Sequence, residues 1–195
     1  MNDDLGKKAE KRIKEWLDRK EDGYSFDRIP DQLSGFYGSS NICDFLCYKY
    51  PYVYYIESKA TWKDRFDFDM ISDKQLNEVS DKSFIKGVFG LCIVLFAAHQ
   101  RAFIFNMQDI RLCVKNDIQK SLNIKKIEMW PIKFAEIKTI PSRKELLDYT
   151  GELDEYVKLL LEKRPIFKDF YYSLISPNAK MDKDECIKQF AYQPT

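Results

Sequence analysis

The chain has 195 residues, 45% hydrophobic and 15% aromatic, with a formal net charge of +1. That is enough for one ordinary domain with a substantial core, and the balanced charge excludes a global field that would gather polyanions. No apolar run reaches membrane-span length and the N-terminus lacks a signal-peptide core, so no membrane role is expected.

Cys43, Cys47, Cys92, Cys113 and Cys186 are odd in number, and three lie in strand-like apolar segments. They read as reduced, buried cysteines of an intracellular protein. No CxxC pair occurs and His99 is the single histidine, which argues against structural zinc and against a His-based triad. Hydrolytic chemistry would have to use carboxylates, lysine and a metal ion.

In chain order, Asn2, Asp3 and Asp4 supply capping groups for a helix running to about Arg19, with Leu5, Ala9, Ile13, Trp16 and Leu17 as its apolar stripe. Glu10 lies only about 20° from Leu17 around that helix, so its carboxylate borders the core. Residues 20–41 are turn-rich, with a short strand expected near Tyr24–Ile29. Ile42–Tyr48 and Tyr52–Lys59 are β-rich segments divided by Lys49-Tyr50-Pro51, and they read as a hairpin. Then come a polar stretch with Phe66 and Phe68, a helix over 73–82, a strand over 87–96 buried on both faces, and a neighbouring strand at 102–105 after a turn at His99-Gln100. The order implies an α/β domain with a mixed central sheet. Beyond it, short strands are expected at 127–129 and 132–134. A Ser142-x-x-Glu145 capping box and helical stretches at 143–149, 153–163, 166–175 and 182–191 follow. No linker or repeat divides the chain, so residues 1–195 are expected to form one domain, with a core of about 1–115 and a mainly helical extension over 116–195.

The hairpin carries the chemistry. A turn centred between Tyr50 and Pro51 sets Asp44 opposite Glu57, with Cβ atoms roughly 5 Å apart, a destabilising pair when alone. Lys59 falls on the same face as Glu57. A divalent cation between the carboxylates would remove their repulsion, and Mg2+ or Mn2+ is the ion that oxygen ligands of this kind hold. Lys59 would orient the attacking water and add positive charge, as a metal-dependent nuclease requires. The competing reading is an exposed sheet face on which Lys59 merely neutralises Glu57. Ser72-Asp73-Lys74-Gln75 fits a helix capping box, with Gln75 reaching back. Lys7, Lys8, Arg12, Lys63, Arg65 and Trp62 are candidate DNA contacts, set against a solvated helix face and an ordinary loop.

These motifs, in this order, resemble the RecU-type Holliday junction resolvases of the PD-(D/E)XK nuclease superfamily. The matching features are Gly6-Lys7-Lys8-Ala9-Glu10, Ser39-Ser40 before Asp44-Phe45, Glu57-Ser58-Lys59-Ala60-Thr61, Phe66-Asp67-Phe68 with Ile71, Asp73-Lys74-Gln75, and the strand from Gly87. The resemblance covers roughly the first 110 residues. It implies a restriction-endonuclease-like αβββαβ core, with Asp44 and Glu57 as metal ligands and Lys59 as the catalytic lysine. It also implies that Gln75 orients the water and Glu10 supports the metal site, while Ser39, Ser40 and Thr61 join the DNA-contacting positions. Residues 20–43 are too few for the projecting stalk of those proteins, Lys74 stands where they often have His, and the C-terminal region has no counterpart.

The expectation is a Mg2+-dependent endonuclease that hydrolyses branched or four-way DNA. It would act as a homodimer in the cytoplasm of a bacterial or phage-infected cell. The alternatives are an endonuclease acting on flap or duplex DNA, and a nuclease-like protein that binds DNA or a protein without cleaving.

Overall fold

The computed structural model describes residues 2–19, 23–29, 41–141 and 148–162. Helix α1 (Asn2–Leu17) is already helical at Asn2, so Asp3 and Asp4 sit within its first turn rather than ahead of it. The Asp4 carboxylate there suits the positive pole of the helix. Leu5, Ala9, Ile13, Trp16 and Leu17 are all buried, as the stripe predicts.

Strands β1 (Ser25–Arg28), β2 (Phe45–Lys49) and β3 (Tyr52–Thr61) form an antiparallel meander. After a short β4 (Arg65–Asp67), helix α2 (Asp73–Lys82) crosses over to β5 (Val88–Phe96), which pairs parallel to β3. Strand β6 (Arg101–Asn106) returns antiparallel beside β5, and β8 (Phe134–Ile137) pairs with β6. The sheet order β1-β2-β3-β5-β6-β8 is mixed, with β3–β5 the one parallel pair among the described strands. Apart from the short β4, the sequence α1-β1-β2-β3-α2-β5 has the expected αβββαβ order. No helix among the described residues is long and apolar enough to cross a membrane.

Two apolar layers flank the sheet. Leu91, Ile93 and Leu95 of β5 face α1 and α4 (Leu153–Glu162), while Cys92, Val94 and Phe96 face α2 and α3 (Met107–Lys115). This two-sided burial is what the unbroken apolar run of β5 foretells. Helix α4 packs on the same layer as α1, and Lys49 fastens its start: the ammonium reaches Glu152 at 2.8 Å and Asp154 at 3.1 Å and lies over the Tyr24 ring.

The last third departs from expectation. Residues 127–129 belong to a 3-10 segment (Ile124–Met129), and only Phe134 of 132–134 is in a strand. Asp148 and Tyr149, expected in a helix, form β10 against β9 (Thr139–Ile140). Tertiary contacts override local propensity here: Arg12 holds Asp148 at 2.9 Å and the Tyr149 ring packs edge-on against Trp16. Residues 142–147, with the capping box, and the helices expected at 166–175 and 182–191 lie outside the described residues.

One glycine fixes how closely α2 approaches the sheet. A Cβ on Gly90 of β5 would lie 2.5 Å from Val79 Cγ1 and from Ser83 Oγ, and 2.9 Å from the Val79 carbonyl oxygen. Backbone cannot yield as a side-chain tip does, so α2 would have to move outward. Gly90→Ala is expected to destabilise the protein by about 1–3 kcal/mol in urea unfolding, with only partial relief from adding Val79→Ala. Unchanged stability would show that α2 does not depend on this contact.

Candidate functional site

The hairpin register is the one the turn dictates. Phe45 pairs with Ile56 at the last rung of the β2–β3 ladder, and the Asp44 amide donates to the Ile56 carbonyl at 3.0 Å. Asp44 therefore stands beside Glu57, just past the ladder. Its Oδ2 accepts a 2.7 Å hydrogen bond from the Ser58 amide, which fixes the carboxylate against β3.

Glu57 is only 1% exposed and lies on the α2 face of the sheet, in register with Cys92 of β5. An exposed sheet face with a passive Lys59 is thereby excluded. Glu57 Oε1 receives Lys59 Nζ at 2.6 Å and Gln75 Nε2 at 2.7 Å. Oε2 is buried with no hydrogen-bond partner among the described residues. Burial, and then the charge of Asp44, push the Glu57 carboxyl up from 4.5 to about 7, against the opposing pull of Lys59 and Gln75. For Lys59, burial acts to lower the pKa, but the adjacent Glu57 carboxylate outweighs it and the net shift is upward. Lys59 is thus a cation and a donor, not a base.

Gln75 serves both readings of its sequence at once. Ser72 Oγ accepts from the Gln75 amide and Gln75 Oε1 accepts from the Ser72 amide, forming the capping box that starts α2. That reciprocal bond orients the side chain, leaving Nε2 aimed at Glu57.

The remaining expected residues are placed as follows. Glu10 borders the core as the helix geometry implies, but its carboxylate is engaged by Arg28 of β1 at 2.5 Å rather than by Asp44 or Glu57. Arg12 requires correction as a DNA contact. It is 5% exposed and its guanidinium joins Glu15 at 2.7 Å and Asp148 at 2.9 Å, so it clamps α1 to β10. Thr61 is nearly buried, with its hydroxyl oxygen accepting from the Lys63 amide at 3.0 Å to shape the turn after β3. Lys7, Lys63 and Arg65 are exposed, Arg65 pairing with Asp67, while half-buried Lys8 pairs with Asp4. Ser39 and Ser40 lie outside the described residues.

Two neighbours of Glu57 escaped the sequence reading. Cys92 and Cys43 are fully buried, and Cys43 is pushed up to about 12 by burial and then by Glu57 and Asp44; burial raises Cys92 as well. They remain protonated thiols and form the apolar floor of the site. Parallel β3–β5 pairing places Cys92 there, and a crossover connection leaves no turn from which such a register can be read.

The donor set suits a hard divalent cation. Oxygen ligands, an unpartnered buried Glu57 oxygen and an adjacent Asp44 are what Mg2+ or Mn2+ would need. No group of three or more His, Cys, Asp or Glu is assembled among the described residues. Mg2+ is ordinarily held by one or two carboxylates, with water and substrate phosphate completing the shell, so two fit.

No protein-family model matches the chain, and no curated protein matches it. Among solved structures it is similar to Hjc, a Holliday junction resolvase from the archaeal hyperthermophile Archaeoglobus fulgidus. The identity is 14%, over 53% of this chain and 78% of that one, with a TM-score of 0.39. A likeness of that size carries no argument about chemistry, which rests on the side chains above.

The Glu57 carboxyl sets a pH dependence. Its folded pKa of about 7 exceeds its ordinary 4.5. In the metal-free protein, stability from this group is therefore full below about pH 4.5 and is lost as pH rises through 7, by up to ~3 kcal/mol. A cation bound at Glu57 must displace its proton. Calorimetric Mn2+ titration is expected to show affinity level above about pH 7 and falling nearly tenfold per unit toward pH 5.5. The melting temperature should rise more with Mn2+ at pH 8 than at pH 5.5. Affinity flat across that range would remove Glu57 from the ion's shell.

Proposed function

We propose that this protein is a metal-dependent endonuclease that hydrolyses phosphodiester bonds in DNA, with branched or four-way DNA as its substrate. The observation that carries the reading is the buried Glu57 carboxylate. It is held on one oxygen by Lys59 and Gln75, has no partner for the other among the described residues, and is pressed by the charge of Asp44. Burying the Glu57 carboxylate beside the half-buried Asp44 is costly, and Lys59 engages only one Glu57 oxygen, so a further cation would relieve it.

Asp44 and Glu57 would hold Mg2+, with Mn2+ able to substitute. When bound, the ion supplies charge neutralisation at the phosphoryl oxygen and a more acidic water. Asp44 is pre-oriented by the Ser58 amide and so needs little reorganisation to bind. Lys59 donates toward the reacting phosphate or the attacking water, adding positive charge where negative charge builds in the transition state. Gln75 holds the Glu57 carboxylate in one rotamer, so its role is to position a ligand. Glu10 has no part in this reading, because Arg28 engages it. Paired, symmetric incisions in a four-way junction would require two copies of the chain, so a homodimer belongs to the proposal.

The test is a panel of four-way, flap, nicked, continuous duplex and single-stranded DNA, each incubated with Mg2+, Mn2+ or EDTA. Cleavage of branched substrates with either metal, and none in EDTA, is the expected result. Cleavage that persists in EDTA, or none on any substrate, would overturn it.

Two variants separate the roles. Asp44→Asn is expected to abolish cleavage while DNA binding and the unfolding transition stay close to the parent. Lys59→Ala is expected to lower the single-turnover rate by about 10²–10³ with Mn2+ affinity unchanged or higher, since the carboxylates lose a competing cation. Equal rates for Lys59→Ala and the parent at saturating metal would confine Lys59 to pairing with Glu57.

A further inference from the structure

Strand β3 does not end in a loose loop. Thr61 Oγ1 accepts from the Lys63 amide, and the Asp64 carbonyl accepts from the Ile124 amide at 2.9 Å. The Asp64 carboxylate is gripped from two other segments: His99 Nε2 lies 2.6 Å from Oδ1, and Lys125 Nζ pairs with Oδ2. His99 follows β5, the parallel neighbour of β3, and Lys125 follows β7 (Ser121–Asn123), which pairs with β4. Two separate segments, at His99 and at Ile124-Lys125, therefore hold a single turn of four residues, 61–64.

That turn displays Trp62, 55% exposed, next to exposed Lys63. The other two tryptophans, Trp16 and Trp130, are 2% and 1% exposed. A lone exposed apolar residue is ordinary. A tryptophan on a turn clamped this way, directly beyond the strand that carries Glu57 and Lys59, is a rigid aromatic platform beside a cationic side chain. That combination recognises a nucleobase face together with its phosphate.

We propose that Trp62 is a specificity-determining residue that stacks on an unpaired base of the DNA strand, so that substrates with single-stranded or unstacked bases beside the cut are preferred over continuous duplex. The inference rests on the nuclease reading for its substrate, but not on cleavage for its test. In intact duplex, base faces are covered by their neighbours, so a side chain can reach the backbone and base edges but not a base face. At a branch point or single-stranded stretch a base face is available at little unstacking cost. Five residues of strand rise place Trp62 about 17 Å from Glu57 along β3. Lys63 contributes a phosphate contact that does not depend on pairing.

The experiment measures binding of a four-way junction, a single strand and a continuous duplex in EDTA, where no cutting is expected, for the parent, Trp62→Ala, Trp62→Phe and Lys63→Ala. Circular dichroism confirms that each variant is folded. Trp62→Ala is expected to weaken binding of the junction and the single strand by about fivefold or more, and of the duplex by less than twofold. Trp62→Phe should retain most of the parent affinity, and Lys63→Ala should weaken all three DNAs alike. The DNA-induced change in tryptophan emission should vanish in Trp62→Phe, because the remaining two indoles are buried. Equal losses on all three DNAs for Trp62→Ala, or no loss on any, would overturn the stacking role. Either result leaves the nuclease reading to the metal-dependent cleavage panel. A parent that binds none of the DNAs would overturn stacking outright.

Discussion

A carboxylate sits where a folded chain ordinarily puts an aliphatic side chain. Glu57 occupies the centre of the sheet, between Cys92 on the neighbouring strand and α2 above, with its charge opposed by burial and by Asp44. Lys59 and Gln75 compensate one oxygen, and the other has no partner among the described residues. Much of the surrounding architecture can be understood as holding that unfavourable group in place. The β2–β3 ladder sets Asp44 beside it, the Ser58 amide orients Asp44, the capping box aims Gln75, and Gly90 lets α2 come close enough for that amide to reach.

The two faces of the sheet divide the labour. The α1 and α4 face is closed by aliphatic and aromatic packing and by ion pairs that fasten residues 148–154 to α1 and β2, Arg12 with Asp148 and Lys49 with Glu152 and Asp154. The α2 face carries a comparable apolar layer but gives up part of it to Glu57 and Lys59. Both faces therefore contribute packing, and the candidate site interrupts only one of them. This division explains why Arg12 of α1, which looked like a DNA contact, is a fastening to β10.

The sequence made the core legible wherever a local rule had only one solution. A Tyr-Pro break between two β-rich runs leaves one sensible register, and that register brings Asp44 to Glu57. Ser72 as an N-cap starts α2 at Asp73, and the unbroken apolar run over 88–96 forms the strand buried on both faces. What was missed was decided by distant contacts. Helix α3 was not foreseen, Asp148 and Tyr149 were drawn into a strand by Arg12 and Trp16, and Glu10 was captured by Arg28. Gln75 is the instructive case: capping and site contact seemed to be alternatives, yet an amide has two ends and uses one for each.

The measurement that tests the central claim most directly is anomalous diffraction from crystals equilibrated with Mn2+ near pH 8. If the Asp44–Glu57 pair exists to hold a cation, one strong peak should lie between the two carboxylates, within about 2.0–2.4 Å of an oxygen from each. It should disappear in Asp44→Asn crystals grown the same way. A well-ordered, metal-free pair at millimolar Mn2+, or a peak elsewhere with none between Asp44 and Glu57, would contradict the account.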